Sequence, residues 1–302
     1  MSAETYNDVT ASVRQRLLNR SRSDNRPFNE LLQYYAMERF LYRLSQSQYA
    51  NDFILKGGLL LRVWHSPEIR PTMDIDMLGK MVNEESGIIA LIKEIISLEV
   101  EPDGLDFAPD SVRTERIIEN AGYKGLRILL NGSLGTARIN IQIDIGFDDV
   151  VFPCPEENIL PSVLNFSAPR LICYSRESVI AEKFEVMVKL GELNSRMKDF
   201  YDIWLLSRCF DFEGPKLTEA IRLTFQRRGT EIPIIIKIFS EDFIALKQVQ
   251  WSAFRKRLQQ DHVPDSFTYI IKKVDTFLSP LTSAFYSGAP FSYNWTAPGP
   301  WE

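Results

Sequence analysis

"ILKGGLLLRVWHSPEIRPTMDIDML", residues 54–78, opens on a glycine pair and closes on two aspartates one residue apart. Successive side chains of a β-strand point to opposite faces. A strand around 72–78 therefore places Thr72, Asp74 and Asp76 on one face and Met73, Ile75 and Met77 on the other. Upstream, Lys56-Gly57-Gly58 reads as a turn into a short helix that runs to Trp64. A turn without Cβ atoms lets backbone N–H groups approach a phosphate closely. Each pair alone is a weak signal, since alternating acids are common on surfaces and Gly-Gly is common at turns. In this order they point to two sides of one phosphate-and-metal site.

A second segment repeats the design. In "RINIQIDIGF", residues 138–147, Ile139, Ile141, Ile143 and Ile145 share one face, and Asn140, Gln142 and Asp144 share the other. If the two strands are neighbours with polar faces aligned, Asp74, Asp76 and Asp144 lie about 4.8 Å from strand to strand. Carboxylates that close repel unless a cation lies between them. A hard divalent ion, Mg²⁺ before others, suits carboxylates and substrate phosphates. The bland alternative is a one-sided antiparallel sheet showing water its polar face.

The 302 residues, 45% of them hydrophobic, suffice for one large core or two moderate ones. Basic and acidic residues number 35 and 40, so net charge neither announces nor excludes a polyanionic partner; local patches decide that. Cys154, Cys173 and Cys209 show no Cys-x-x-Cys spacing, and His65 and His262 cannot complete a zinc centre with them. The N-terminus lacks a signal-peptide pattern, and no apolar run reaches the ~20 residues of a membrane span. The expectation is a cytoplasmic protein with no membrane association.

Helical spacing over 5–47 is interrupted by "NRSRSDNR" before Pro27; Leu31, Leu32, Tyr35, Phe40 and Leu41 should face inward. Arg14, Arg16, Arg20, Arg22 and Arg26 are either a solvated face or a nucleic-acid contact. A further helix is expected over 84–98, then antiparallel strands over 111–146 broken by Gly122, Gly125 and "NGSLG". From Ser175 the pattern is helical, and it ends in a Pro-, Gly- and aromatic-rich tail, loose or laid over a groove. At 100° per residue, Lys183 falls on the inward arc of its helix with Ile180, Phe184 and Met187, while Glu182, Glu185 and Lys189 point away. An inward lysine needs an anion or must snorkel out. On the next helix Asp199 projects inward, Asp202 lies at the edge, and Arg196 is close to Asp199 in projection.

"LKGGLLL", "RPTMDIDMLG", "INIQIDIGFDD", "ESVIAEKFEVMVKLGELNSRMKDFYDIWLL" and "FQRRGT" together resemble the AbiEii/AbiGii toxins, of the polymerase-β-like nucleotidyltransferase superfamily, over roughly residues 10–280. The resemblance implies an α+β architecture: a nucleotidyltransferase-fold mixed sheet with flanking helices, followed by a C-terminal helical domain. It implies Mg²⁺-dependent transfer of NMP from an NTP to an RNA acceptor, the tRNA 3′ end, by a phage-defence toxin paired with an antitoxin. Asp74, Asp76 and Asp144 become metal ligands and catalytic residues, joined by Lys183 and Asp199, with Asp202 the second choice. Lys56, Gly57, Gly58, Arg70 and Thr72 become the nucleotide-binding set. Many nucleotidyltransferases carry Gly-Ser where this chain has Gly57-Gly58, so one hydroxyl is missing. The expected divisions are an N-terminal helical segment (1–50), the α/β core (51–168), a helical domain (169–285) and the tail (286–302). Basic residues of the helical half, among them Arg222, Arg228, Lys247 and Arg255, could flank an RNA groove. The rival readings are a protein or small-molecule acceptor, or a catalytically idle relative that binds a partner.

Overall fold

The computed structural model describes residues 3–68, 70–119 and 123–302. The chain divides into two compact units, one made of Met1–His65, Pro71–Asp148 and Glu156–Cys173, the other of Ser66–Arg70, Asp149–Pro155 and Tyr174–Glu302.

The first unit begins with helices α1 (Ala3–Ser23) and α2 (Phe28–Gln46). Strand β1 (Phe53–Lys56) ends at Gly57, where a single 3-10 turn (Gly57–Leu59) leads into the one-turn helix α3 (Leu60–Val63). Then follow β2 (Asp74–Gly79), α4 (Glu85–Ile96), and the long strands β3 (Leu105–Glu119), β4 (Tyr123–Leu134) and β5 (Ala137–Phe147). Short strands β6 (Glu156–Ile159) and β7 (Arg170–Cys173) complete a seven-stranded mixed sheet of order β3-β4-β5-β2-β1-β7-β6. Strands β2 and β5 are parallel, whereas β1 runs antiparallel to β2.

Periodicity explains the sheet's two faces. Ile75, Met77, Ile139, Ile141, Ile143 and Ile145 are all buried, which fixes the alternate residues on the opposite face. Helix α2 packs on β5 and α4 and buries Leu31, Leu32, Tyr35, Phe40 and Leu41 as its spacing predicts. On α4 the stripe Ile88, Leu91, Ile92, Ile95 and Ile96 is buried, each side chain worth about 1.5–3 kcal/mol.

Three sequence expectations change. The strand starts at Asp74, two residues later than expected, and Met73 is 51% exposed, so it does not join the apolar face. Gly125 and Gly132 lie inside β4; only the last residue of "NGSLG", Gly135 at φ +59°, turns the chain into β5. Gly132 pairs within the strand, and a Cβ there would meet the Phe107 ring at 2.9 Å. Gly122 lies outside the described residues. Of the N-terminal arginines, Arg14 and Arg22 are exposed, whereas Arg16 donates to the Leu164 carbonyl, Arg20 to the Val163 carbonyl at 3.0 Å, and Arg26 pairs with Glu30.

The second unit contains α5 (Arg176–Leu190), α6 (Met197–Cys209), β8 (Phe212–Glu213), α7 (Gly214–Arg228), α8 (Glu241–Leu258), α9 (Phe267–Ser287) and β9 (Asn294–Trp295). The tail is laid down: β9 pairs with β8, Trp295 Nε1 donates to the Ser207 carbonyl, and Trp301 stacks on Phe277 at 5.5 Å. Among the described residues no helix is long and apolar enough to cross a membrane.

Candidate active site

Register brings the charged residues together. Glu115 of β3 lies opposite Arg127 of β4, Arg127 opposite Asp144 of β5, Asp144 opposite Asp76 of β2, and Asp76 opposite Lys56 of β1. One row thus crosses the sheet with signs that alternate except at a single step, where Asp144 meets Asp76. Asp74, two residues along the same face, completes the cluster, and one carboxylate oxygen from each of Asp74, Asp76 and Asp144 lies within 4.8 Å of the others. All of them are partly accessible. Such a donor set, oxygen-only and like-charged, fits a hard divalent cation.

The glycine turn abuts this cluster. Gly57 has φ +77°, and a Cβ built on it would stand 1.9 Å from Asp76 Oδ2. Glycine is required twice there, by the left-handed backbone and by the carboxylate against its Cα. Gly58 is buried in the same turn, and Lys56 precedes it. Thr72 supports Asp74 rather than open solvent: its Oγ1 donates to Asp74 Oδ1 at 2.6 Å, and its N–H donates to Tyr34 Oη at 2.9 Å. Guanidinium groups of Arg26 and Arg62 lie 5.1 and 5.0 Å from the centre of the Tyr34 ring.

The second unit holds a buried ionic array. Lys183 Nζ reaches Asp199 Oδ1 at 3.0 Å and Asp202 Oδ2 at 2.8 Å. Arg70 grips Asp202 with Nε at 2.7 Å and Nη2 at 2.9 Å, and Arg196 Nε reaches Asp199 Oδ2 at 2.7 Å. Burial opposes ionisation of Asp202, but the Arg70 and Lys183 charges outweigh it and hold the carboxyl below its ordinary value. Asp199 is held down in the same way, with Lys183 and Arg196 overcoming burial. Lys183 goes the other way: burial disfavours its charge, and Asp199 and Asp202 more than restore it.

A family model for nucleotidyl transferase AbiEii toxins of type IV toxin–antitoxin systems matches residues 39–279. The chain belongs to the AbiEii family. Membership agrees with the resemblance carried by the glycine and aspartate motifs. No curated protein matches the chain. Among solved structures, a putative nucleotidyltransferase from H. pylori is 12% identical, with a TM-score of 0.47, and covers 82% of this chain and 93% of its own. JHP933 from Helicobacter pylori is 11% identical, with a TM-score of 0.43 and the same coverage. At these scores the likeness adds nothing to the family assignment.

For this AbiEii chain, Asp74, Asp76, Asp144, Lys56, Gly57, Gly58 and Thr72 all fall in the first unit, around one turn and one row. Lys183, Asp199 and Arg70 fall in the second, where Arg70 is the bidentate partner of Asp202. The helical projection failed for Glu185, which is buried with Arg228 at 3.0 Å; α7 covers the face of α5 that was expected to meet water. Arg228, also bonded to Asp149, and Lys247 are turned inward, so neither is free to line an RNA groove. Sequence reasoning missed Arg127 and Tyr34. The only trace of Arg127 was a lone cation in "GLRILL" on the polar parity of β4.

Proposed function

We propose that the protein transfers NMP from an NTP to an RNA hydroxyl, the 3′ end of tRNA, releasing pyrophosphate, and that it does so as the toxin partner of a cognate antitoxin. The observation that carries this reading is the Asp144–Asp76 step beside Gly57, an acidic doublet at a turn with no room for a side chain. Asp74 and Asp76, with Asp144, would hold Mg²⁺, which when bound offsets charge on the triphosphate and on the leaving pyrophosphate.

The chain's own groups do the rest. Thr72 fixes the rotamer of Asp74. Gly57 and Gly58 keep the phosphate approach clear of Cβ atoms. Lys183 is assigned to the NTP phosphates and Asp199 to positioning Lys183. An RNA acceptor is supported by cations on the acidic face: Arg113 and Arg138 share its parity, and Arg138 lines a cavity of about 400 Å³ with Met73, Leu129 and Gln142.

The test incubates purified protein with total RNA, a protein pool and each of four α-³²P-labelled NTPs, for wild type and Asp76→Ala. Label in RNA from the wild type alone supports the proposal. Label only in protein moves the acceptor to another class, and no label from any NTP overturns it.

A further inference from the structure

Strands β2 and β5 pair from Asp74 and Gln142 onward, but β5 begins earlier, at Ala137. Its first residues therefore have β4 on one side and no strand on the other. Gln33 of α2 reaches into that gap: its Nε2 donates to the Asn140 carbonyl at 2.9 Å and to the Met73 carbonyl at 3.3 Å. What remains is an open notch lined by Asn29, Met73, Leu129, Arg138, Asn140 and Gln142, among others.

Among the described residues, the side chains of Asn29, Arg138 and Asn140 have no hydrogen-bonding or ionic partner. Gln142 spends only its Nε2, on Asp144, which leaves Oε1 open. Two apolar side chains interrupt the polar surroundings: Leu129, half-buried, stands opposite Gln142, and Met73 is 51% exposed. Amides for a base edge, apolar groups for a flat face and a cation for a phosphate are together what an unstacked nucleotide requires. Gln142 and Asp144 are two residues apart on one strand, about 7 Å. A ribose spans such a gap between its base and its 3′ hydroxyl.

Position decides whose base it is. Across the sheet the order runs from Leu129 of β4, through Gln142 and Asp144 of β5 and the two aspartates of β2, to Gly57 at the end of β1. The acids thus separate the notch from the glycine turn. In phosphoryl transfer the attacking and leaving oxygens lie roughly in line, on opposite sides of the phosphorus. With the triphosphate against Gly57 and Gly58, the attacking hydroxyl comes from the side of the notch. We propose that the notch binds the terminal nucleobase of the RNA acceptor. Asn140 and Gln142 Oε1 bond to its edge, Leu129 and Met73 cover its face, and Arg138 pairs with the phosphate that precedes it. Asn140 then sets which terminal base is accepted. This rests on the transfer of NMP to RNA proposed above.

A pool of tRNA transcripts is prepared in four versions that differ only in the last base. Each is incubated with the full-length protein and each α-³²P-labelled NTP, and filter binding of the same pools is measured at several salt concentrations. Wild type should label the preferred terminal base about tenfold more efficiently than the poorest, the worth of one or two base-edge hydrogen bonds. Asn140→Ala should narrow that ratio to within about threefold, with the choice among NTPs as in wild type. Asn140→Thr, suited to a strand, serves if the alanine variant folds poorly, and circular dichroism checks both. Arg138→Gln should weaken binding of all four pools alike and flatten the salt slope by about 0.7. Wild-type labelling that ignores the last base, or a preference that survives both Asn140 variants, overturns the assignment of the notch. So does an Asn140 variant that changes which NTP is used, because the notch would then hold the incoming base. No label in any pool overturns instead the reading of transfer to tRNA beneath it.

Discussion

A carboxylate pressed against a glycine makes Gly57 the most sensitive single position of the turn. Gly57→Ala would put a methyl group 1.9 Å from Asp76 Oδ2 and 2.7 Å from its Cβ, so Asp76 must move. A displacement near 1 Å at a reacting centre can cost about a hundredfold in rate. The left-handed backbone adds a penalty of roughly 1–2 kcal/mol for any non-glycine residue. The expected outcome is nucleotide transfer down about a hundredfold, with the fold retained but its urea midpoint lowered, read by radiolabel transfer and denaturation in parallel. Unchanged transfer in Gly57→Ala would mean that Asp76 is not held where the reaction needs it.

Elements carry the two charge systems, and they differ in kind. Under the proposed function, the polar face of the sheet is the binding surface. Reversing Arg113 and Arg138 to Glu should weaken RNA binding and flatten its dependence on salt, since each phosphate contact contributes to the slope of about −0.7 per contact for single strands. Nucleotide binding should be little changed, and a filter-binding titration at several salt concentrations reads both. If RNA affinity and slope are untouched, the acceptor is not held by this face. The array around α5 and α6 is a buried set of ion pairs in which Lys183 bridges Asp199 and Asp202. Removing its central cation with Lys183→Met leaves Asp199 and Asp202 short of a partner, and breaking buried pairs costs about 3–5 kcal/mol. Arg228→Ala should cost a similar ~3–5 kcal/mol, because Asp149, Glu182 and Glu185 converge on it.

The pH dependence of that array has a definite sign. Asp199 and Asp202 ionise below their ordinary value of 3.8, so their contribution is whole above that pH and is lost as the medium falls below it. Lys183 is raised above 10.5, so its contribution is whole below that pH and is lost only as alkalinity passes its folded-state value. Stability should therefore be flat, as far as this array is concerned, between about pH 4 and pH 10. Urea midpoints across that range check it. A midpoint that already drops steeply between pH 7 and pH 5 would contradict the assignment of charged Asp199 and Asp202.

For the whole molecule, the tail is a structural strap of the second unit. Trp295 is 3% exposed, packs edge-on against Phe277 at 4.8 Å and donates to Ser207, while Gly214 leaves room for the Tyr293 carbonyl. Trp295→Ala should cost about 3–5 kcal/mol, the range for large-to-small changes in a core. Chemical denaturation measures it, and a loss under ~1 kcal/mol would show that the tail is dispensable for stability.

Sequence by itself determined which residues occupy the polar face. A strand's period of two is a property of local backbone geometry, and the isoleucines of β5 must be buried. It also determined the glycine turn, the amphipathic helices and, through the combined motifs, the family. What it did not determine was who faces whom. Register is set by hydrogen bonds between strands remote in sequence, so the meeting of Arg127 with Asp144 and of Asp76 with Gly57 appears only in the folded sheet. The fate of the cations was likewise tertiary. Along the chain Arg70 reads as a nucleotide contact and Arg228 and Lys247 as cations flanking a groove, yet each is turned inward onto a carboxylate or an aromatic ring supplied by the surrounding elements.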